Sequence, residues 1–271
     1  MANDCINHEY YLRFSDKVLA LIRKIFHKSP EFRHDSFKHV ARFAPFIPFM
    51  GGRPDLSKPL RRVITFSDRS NSLYLGCPII LAAGANKTAE RIRDYANVGF
   101  GGITVGTATR HFREGNTHRP RIGFLEEDRA IHNSMGLNNE GVEVIARRVD
   151  AQLVKAHKAG LCVGISVAET PGLSDPEEKL KDIVESFSIA YRAADYIEIN
   201  VSCPNTGESR VDLDMSFSER IFTEIMNVRN SQTLRKAVYA KLSPDLSERH
   251  LISIMDMLVR TGVNGVVVGN T

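Results

Sequence analysis

The segment Asn200-Val201-Ser202-Cys203-Pro204-Asn205-Thr206 places two amides, two hydroxyls and one thiol within seven residues, directly after an apolar run that reads as a strand. Asparagine donates and accepts hydrogen bonds at once, which suits a flat substrate edged with amide and imide groups. A thiol has a reference pKa of about 8.5, close enough to neutrality to serve as a general base once its surroundings adjust it. A lone free cysteine is more often a small buried filler. With Pro204 fixing the turn and an asparagine on either side, a base becomes the better reading of Cys203.

Three further clusters carry chemistry. Ala82-Ala83-Gly84-Ala85-Asn86-Lys87 ends another apolar run; small residues let a planar cofactor approach the backbone, and Lys87 can place positive charge beside it. Taken alone, a lysine in that position is usually just solvated. Asn133-Ser134-Met135-Gly136-Leu137-Asn138-Asn139 is an amide-rich excursion that by itself would be only a turn. Lys241, in Tyr239-Ala240-Lys241-Leu242, falls inside an apolar strand, and a buried lysine needs a partner, so a site role is favoured.

The elements that must position these clusters repeat from about residue 78 onward. Apolar runs at 78–83, 102–108, 162–168, 196–202, 238–243 and 263–269 read as strands, and stretches of helical period at 89–98, 141–160, 176–194, 216–230 and 247–261 separate them. The runs read as continuously apolar, as expected when helices cover a parallel sheet. Six βα-type strands fit an open doubly wound sheet or part of an eight-stranded barrel. The barrel is favoured because polar and glycine-containing residues follow almost every strand, where a barrel assembles its active site. A Gly-x-Gly-x-x-Gly turn after the first strand is also lacking. Val63–Phe66 and Leu73–Leu75 look like a hairpin that plugs the barrel floor. The expected fold is therefore α/β, a TIM (β/α)8-type barrel with six of its eight strands in this chain. Six strands leave open edges, so either the chain is a fragment of a longer protein or a partner closes it.

Composition is that of an ordinary globular chain, 42% hydrophobic and 25% charged. Cys5, Cys77, Cys162 and Cys203 form no Cys-x-x-Cys pair, so neither a disulfide framework nor a metal site is expected, and a reducing compartment is. No apolar run reaches the roughly 18 residues of a membrane span. Asp4 and Glu9 interrupt the stretch where a signal peptide or mitochondrial presequence would lie. The net charge of +4 is too small to imply nucleic-acid binding.

That charge is unevenly placed, since residues 1–62 hold 12 Lys/Arg against 6 Asp/Glu. Within this segment Val18, Leu19, Ile22, Ile25 and Phe26 recur at helical spacing opposite Lys17, Arg23, Lys24 and Lys28. A second such stretch, with Phe32, Phe37, Val40, Ala41 and Ala44, follows Ser29-Pro30. Two basic amphipathic helices result, which either lie in a membrane interface or pack on the domain.

Five motifs in order now resemble dihydroorotate dehydrogenase: Ala-Ala-Gly…Lys at 82–87, Asn-Ser-Met-Gly-Leu-x-Asn at 133–139, Asn-x-Ser-Cys-Pro-Asn at 200–205, Lys-Leu-Ser-Pro-Asp-Leu-Ser at 241–247, and Asn270-Thr271. The resemblance covers roughly residues 14–271. It implies FMN across the carboxyl-terminal mouth of the barrel, lined by Ala82, Ala83, Gly84, Lys87, Thr107, Ser166, Asn200, Lys241 and Gly269. It further implies that Lys87, Asn133, Met135, Gly136, Leu137, Asn200, Asn205, Asn270 and Thr271 hold dihydroorotate, that Cys203 is the catalytic base, and that Lys87 serves the chemistry as well.

The amino-terminal helices are similar to those of the membrane-associated class 2 enzymes, which pass electrons to quinone through a tunnel that such helices form. Residues 1–62 would be that segment and 63–271 the FMN-binding barrel, with the protein peripheral to a membrane, at the cytoplasmic face of a bacterial inner membrane rather than in a mitochondrion. Cys203 and Leu137, by contrast, resemble the soluble class 1 enzymes, and Ser166 replaces a class 2 asparagine. The family's phosphate-holding loops follow the seventh and eighth strands and are absent from this chain. Two other readings stand beside this one: a related flavin barrel acting on another dihydropyrimidine, and a truncated non-catalytic derivative serving as a binding or scaffold protein.

Overall fold

The computed structural model describes Arg42 and residues 61–269 apart from 69, 126, 129 and 202–214. The amphipathic amino-terminal stretches, Arg42 excepted, therefore lie outside the described residues, as do Cys203, Asn205, Asn270 and Thr271.

An antiparallel pair, β1 (Arg62–Ile64) and β2 (Leu73–Leu75), comes first, followed by β3 (Ile80–Leu81) and β4 (Gly102–Ala108). A second antiparallel pair, β5 (Ile122–Leu125) and β6 (Ala130–Asn133), then leads into α1 (Val142–Lys158). Strand–helix alternation follows: β7 (Cys162–Val167), α2 (Pro176–Ala193), β8 (Tyr196–Asn200), α3 (Met215–Asn230), β9 (Ala237–Leu242), α4 (Glu248–Thr261) and β10 (Gly265–Val268). Six strands form one parallel sheet in the order β10-β9-β8-β7-β4-β3.

Local chemistry accounts for the helix limits. Asp175 caps α2 by accepting from the Glu177 amide at 3.2 Å, with Pro176 at the first turn and Glu177 and Glu178 favourable to the helix dipole. Ser247 caps α4, accepting from the His250 amide at 3.3 Å, and Gly262 ends it in the left-handed conformation. The expected helix at 89–98 is instead a 3₁₀ helix at Ile92–Val98. Ala89 and Arg91 both take positive φ. Their neighbouring backbone groups are satisfied from α1: Gln152 donates to the Ala89 carbonyl at 2.8 Å and accepts from the Ile92 amide at 3.1 Å, while Arg148 donates to the Thr88 carbonyl at 2.8 Å. Side chains of another helix thus replace the ladder that an α-helical first turn would need.

All four helices pack on one face of the sheet. Their apolar stripes, including Val149, Phe187, Phe222 and Met257, join Val105, Ile165, Ile197, Ile199 and Val238 in one core, each large side chain contributing about 1.5–3 kcal/mol by its burial. A doubly wound sheet would carry helices on both faces; one-sided cover is barrel architecture. The strands accordingly alternate rather than run continuously apolar, because the face away from the helices is closed by different means. At its amino-terminal end the β1–β2 hairpin presses Leu73 and Leu75 against Cys162, Tyr196 and Ala237, which is the expected floor plug, with Phe66 beyond the strand but still packed there.

Charge staples that plug in place. Arg229, 2% exposed at the end of α3, pairs with Asp68 in the hairpin turn and bonds to Ser70. Asn264 also donates to Asp68 at 2.9 Å. Burial alone would raise the Asp68 pKa, but hydrogen bonds from Ser70, Asn264 and Arg229 reverse this and hold it well below the usual carboxylate range.

At the opposite end, Asn139 latches the excursion that contains the β5–β6 hairpin. Its oxygen accepts from the Thr109 and Gly141 amides at 3.2 and 2.8 Å. Its nitrogen donates to the Thr109 hydroxyl and the Leu137 carbonyl at 2.8 and 2.7 Å.

Two outcomes follow from these ties. Arg229→Met should cost about 2–3 kcal/mol in urea unfolding, less than for a fully buried pair because Asp68 is part exposed. Since the folded Asp68 pKa is depressed, its stabilisation is present above the ordinary 3.8 and lost as pH falls through the lower folded value; Asp68→Asn should therefore destabilise at neutral pH and converge with wild type in strong acid. Asn139→Ala should cost about 2–4 kcal/mol and speed hydrogen exchange across 110–139 while leaving α2 and α3 protected; equal loss of protection everywhere would contradict a local latch.

Candidate active site

Strand register sorts the inner-face side chains into rows. Above the floor, Thr104 and Tyr196 meet at 2.7 Å, hydroxyl to hydroxyl, in the interior. Gly164 keeps room for that ring, since a Cβ there would lie 2.3 Å from Tyr196. The next row sets Ser166 beside Glu198 and Glu198 beside Tyr239, and the uppermost sets Asn200 beside Lys241. Ser166, Glu198, Asn200 and Lys241 are all buried, so each polar group must be matched from within.

The matching runs as a chain. Asn200 Nδ2 donates to Thr107 Oγ1 at 2.9 Å, and Thr107 Oγ1 lies 2.9 Å from Ser166 Oγ. Glu198 lies beside Ser166 in the strand register. Burial pushes the Glu198 carboxyl above its ordinary range, while the Lys241 charge and the Ser166 hydroxyl oppose the rise. Burial also raises the hydroxyls of Tyr239, to about 12, and Tyr196. Lys241, buried, pairs in register with Asn200 and lies one row above Glu198 on the neighbouring strand.

The small-residue turn after β3 is stitched to the same mouth. Gly84 donates its amide to the Gly106 carbonyl at 2.8 Å, and Gly106 donates to the Asn86 carbonyl at 3.0 Å. This carries Ala82, Ala83, Gly84 and the half-buried Lys87 alongside Thr107. Asn86 Oδ1 is buried without a hydrogen-bond partner. Gly269 follows β10 at the far side of the mouth.

The 133–137 loop reaches over β4 and β7. Asn133 ends β6 and accepts from the Met135 amide at 3.0 Å. Met135 and Leu137 are buried, and Leu137 packs on Ala168 just past β7. Gly136 takes φ of +72°, and a Cβ there would come 2.4 Å from Asn116 Oδ1, so only glycine fits.

The structure therefore brings Ala82, Ala83, Gly84, Lys87, Thr107, Ser166, Asn200, Lys241 and the 133–137 loop to the carboxyl-terminal ends of adjacent strands. Cys203, Asn205, Asn270 and Thr271 lie outside the described residues. Glu198, Tyr196 and the latch role of Asn139 were not expected. The alternation Tyr196-Ile197-Glu198-Ile199-Asn200 was the available signal for the first two. A separate cleft of 810 Å3 opens at the amino-terminal end, lined by Arg62, Tyr74, His157, Asp195 and Lys236 among others; it lies away from the polar rows. Hydroxyls, an amide and an ammonium beside small residues fit the flat, amide-edged ring of a flavin, whose reactive edge benefits from nearby positive charge. Among the described residues no group of His, Cys, Asp and Glu is arranged to hold a metal.

Comparison with known proteins agrees with this geometry. The family model for dihydroorotate dehydrogenase matches residues 70–271. A relative from Chelativorans sp., a dihydroorotate dehydrogenase (quinone), is 33% identical over 91% of this chain and 64% of its own length. Another of that name from Halorhodospira halophila is 31% identical over 94% of this chain and 72% of its own. The chain thus spans about two thirds of the length of these relatives. The crystal structure of DHODH in complex with ferulenol from Eimeria tenella superposes with a TM-score of 0.74 at 27% identity, covering 90% of this chain and 67% of that one. With the family model matching three quarters of its residues and these relatives along most of its length, the chain belongs to the dihydroorotate dehydrogenase family.

Proposed function

We propose that the natural protein oxidises dihydroorotate to orotate, with FMN at the barrel mouth, Cys203 as general base and a quinone as electron acceptor. The observation that carries this reading is the buried polar cluster Thr107, Ser166, Asn200 and Lys241 at the carboxyl-terminal ends of adjacent strands, beside the small-residue turn at 82–84. The names of the relatives support the substrate and the acceptor.

The bound flavin supplies the hydride-accepting centre. Around it the chain's own residues hold and orient. Lys241, on a rigid strand, and Lys87, after β3, bring positive charge to the mouth, where reduction adds negative charge. Thr107 fixes the Asn200 amide, so the group that would meet the substrate ring is preorganised rather than free to swing. Asn133, Asn205, Asn270 and Thr271 would complete the grip on ring and carboxylate, with Met135, Gly136 and Leu137 as the wall of the substrate pocket. Cys203 would take the proton from the ring carbon next to the carbonyl as the neighbouring carbon gives up hydride.

Residues 1–62 would supply the contact with quinone and with a membrane surface, the cytoplasmic face of a bacterial inner membrane, through their basic amphipathic stretches. Among the described residues no helix is long and apolar enough to cross a membrane.

In the full-length protein, Cys203→Ala should slow flavin reduction by dihydroorotate by about 10²–10⁴-fold while the flavin absorbance of the purified protein persists; stopped-flow reduction at the wild-type rate would refute Cys203 as base. Deleting residues 1–60 should depress quinone reduction far more than reduction of a soluble dye in steady-state assays. Equal losses would remove the quinone role from that segment.

A further inference from the structure

Between β4 and β5 the chain lies against the 133–137 loop, and residues 113–121 of this passage have no place in the roles assigned so far. Their contacts with the loop fall on its carbonyls. Arg113 Nε donates to the Gly136 carbonyl at 2.8 Å. The Asn116 amide donates to the Met135 carbonyl at 3.1 Å, and Asn116 Nδ2 to the Ser134 carbonyl at 2.9 Å. Beyond them, His118 Nε2 lies 2.7 Å from Ser134 Oγ. This strap is itself anchored, since Arg113 and Asn139 exchange both backbone hydrogen bonds at 2.9 Å and Arg121 donates back to the Glu114 carbonyl at 3.1 Å. A Cβ on Gly115 would lie 2.2 Å from the Met135 carbonyl oxygen, so only glycine lets the strap rest this close to the loop.

The peptides of the loop are trans, and a trans peptide points its N–H opposite to its C=O. With the Ser134, Met135 and Gly136 carbonyls turned to the strap, the amides of Met135, Gly136 and Leu137 are turned away from it. Asn133 Oδ1 takes the first at 3.0 Å. The other two are donors that the loop offers on its other face. Leu137, moreover, holds φ of +57° directly after Gly136 at +72°. A leucine does not settle in left-handed backbone by its own preference, so contacts from outside the loop must keep it there.

We propose that Arg113 and Asn116 are positioning residues of the substrate loop: by holding its carbonyls they fix the Gly136 and Leu137 amides as a preformed pair of donors for the substrate carboxylate. The inference rests on the reading that dihydroorotate binds against this loop. A carboxylate can only accept, and donors already in place bind it without a cost of ordering. Once a carbonyl is released, the loop populates other courses, and apparent affinity falls with the fraction that stays competent.

Steady-state and stopped-flow kinetics of the full-length, flavin-bearing protein test this. Arg113→Ala should raise the KM for dihydroorotate, and weaken orotate binding read from the flavin absorbance change, by about tenfold. Asn116→Asp, equal in size but unable as a carboxylate to donate to Ser134, should do the same. Flavin content and the rate of flavin reduction at saturating substrate should change little, and Arg113→Lys, which keeps a donor, should recover most of the lost affinity. Wild-type KM and orotate affinity in both variants overturn the proposal, as does a loss confined to flavin content or to the saturated rate. Should the variants fail to fold, hydrogen exchange in the wild-type protein decides. Arg113 and Asn116 amides protected before any ligand is added, with orotate slowing exchange at Gly136 and Leu137, support the proposal; protection of Arg113 and Asn116 that appears only with orotate overturns a preformed pair. A wild-type protein that holds flavin but neither oxidises dihydroorotate nor binds orotate removes the proposed substrate and this inference with it, whereas turnover with an unaltered KM in the variants removes the inference alone.

Discussion

Strand register is the constraint on which the site depends. Side chains along a strand alternate between faces, so a slip of one residue would send Ser166, Glu198, Asn200 and Lys241 into the helix-covered core and bring Ile165, Ile197 and Ile199 inward. The first change would bury charge without partners and the second would strip the helices of their apolar contact, and both would occur together. The packing of Phe187 and Phe222 on the outer face therefore secures the chemistry on the inner one. No residue of the site needs to hold its own strand in place.

This division of labour explains the poor local economy of the interior. A parallel barrel filled only with aliphatic side chains would be easier to satisfy than one containing a carboxyl, an ammonium, an amide and five hydroxyls. Part of this capacity is met within the interior, where Asn200 bonds to Thr107 and Thr107 to Ser166. The same economy governs the loop above, where one asparagine, Asn139, satisfies four separate groups and leaves the 133–137 backbone free to follow the course that Gly136 permits.

Much of this was legible in the residues. The alternation of apolar runs and helical periods located every strand of the parallel sheet, and the five ordered motifs marked the family and most of the mouth. What escaped notice had a physical reason in each case. The strands were read as uniformly apolar because Ile, Val and Ala dominate them, and the two-residue period of β8 is hidden when Tyr196 passes as hydrophobic. The 89–98 stretch departs from its helical period because its first turn is decided by Arg148 and Gln152, about sixty residues away, not by its own propensities. The β5–β6 hairpin contains residues as polar as His132 and Asn133, and no local pattern distinguishes it from a loop.

The floor plug joins the first described segment to the last. Asp68, in the turn before β2, is held by Arg229 at the end of α3 and by Asn264 just before β10. During synthesis the hairpin therefore emerges long before the groups that fasten it exist, and its apolar side chains, Leu73 and Leu75, must wait for β7, β8 and β9. Contacts separated by nearly two hundred residues are entropically slow to close. The floor is thus closed by residues far apart in sequence, on the same strands that carry the mouth at their other ends.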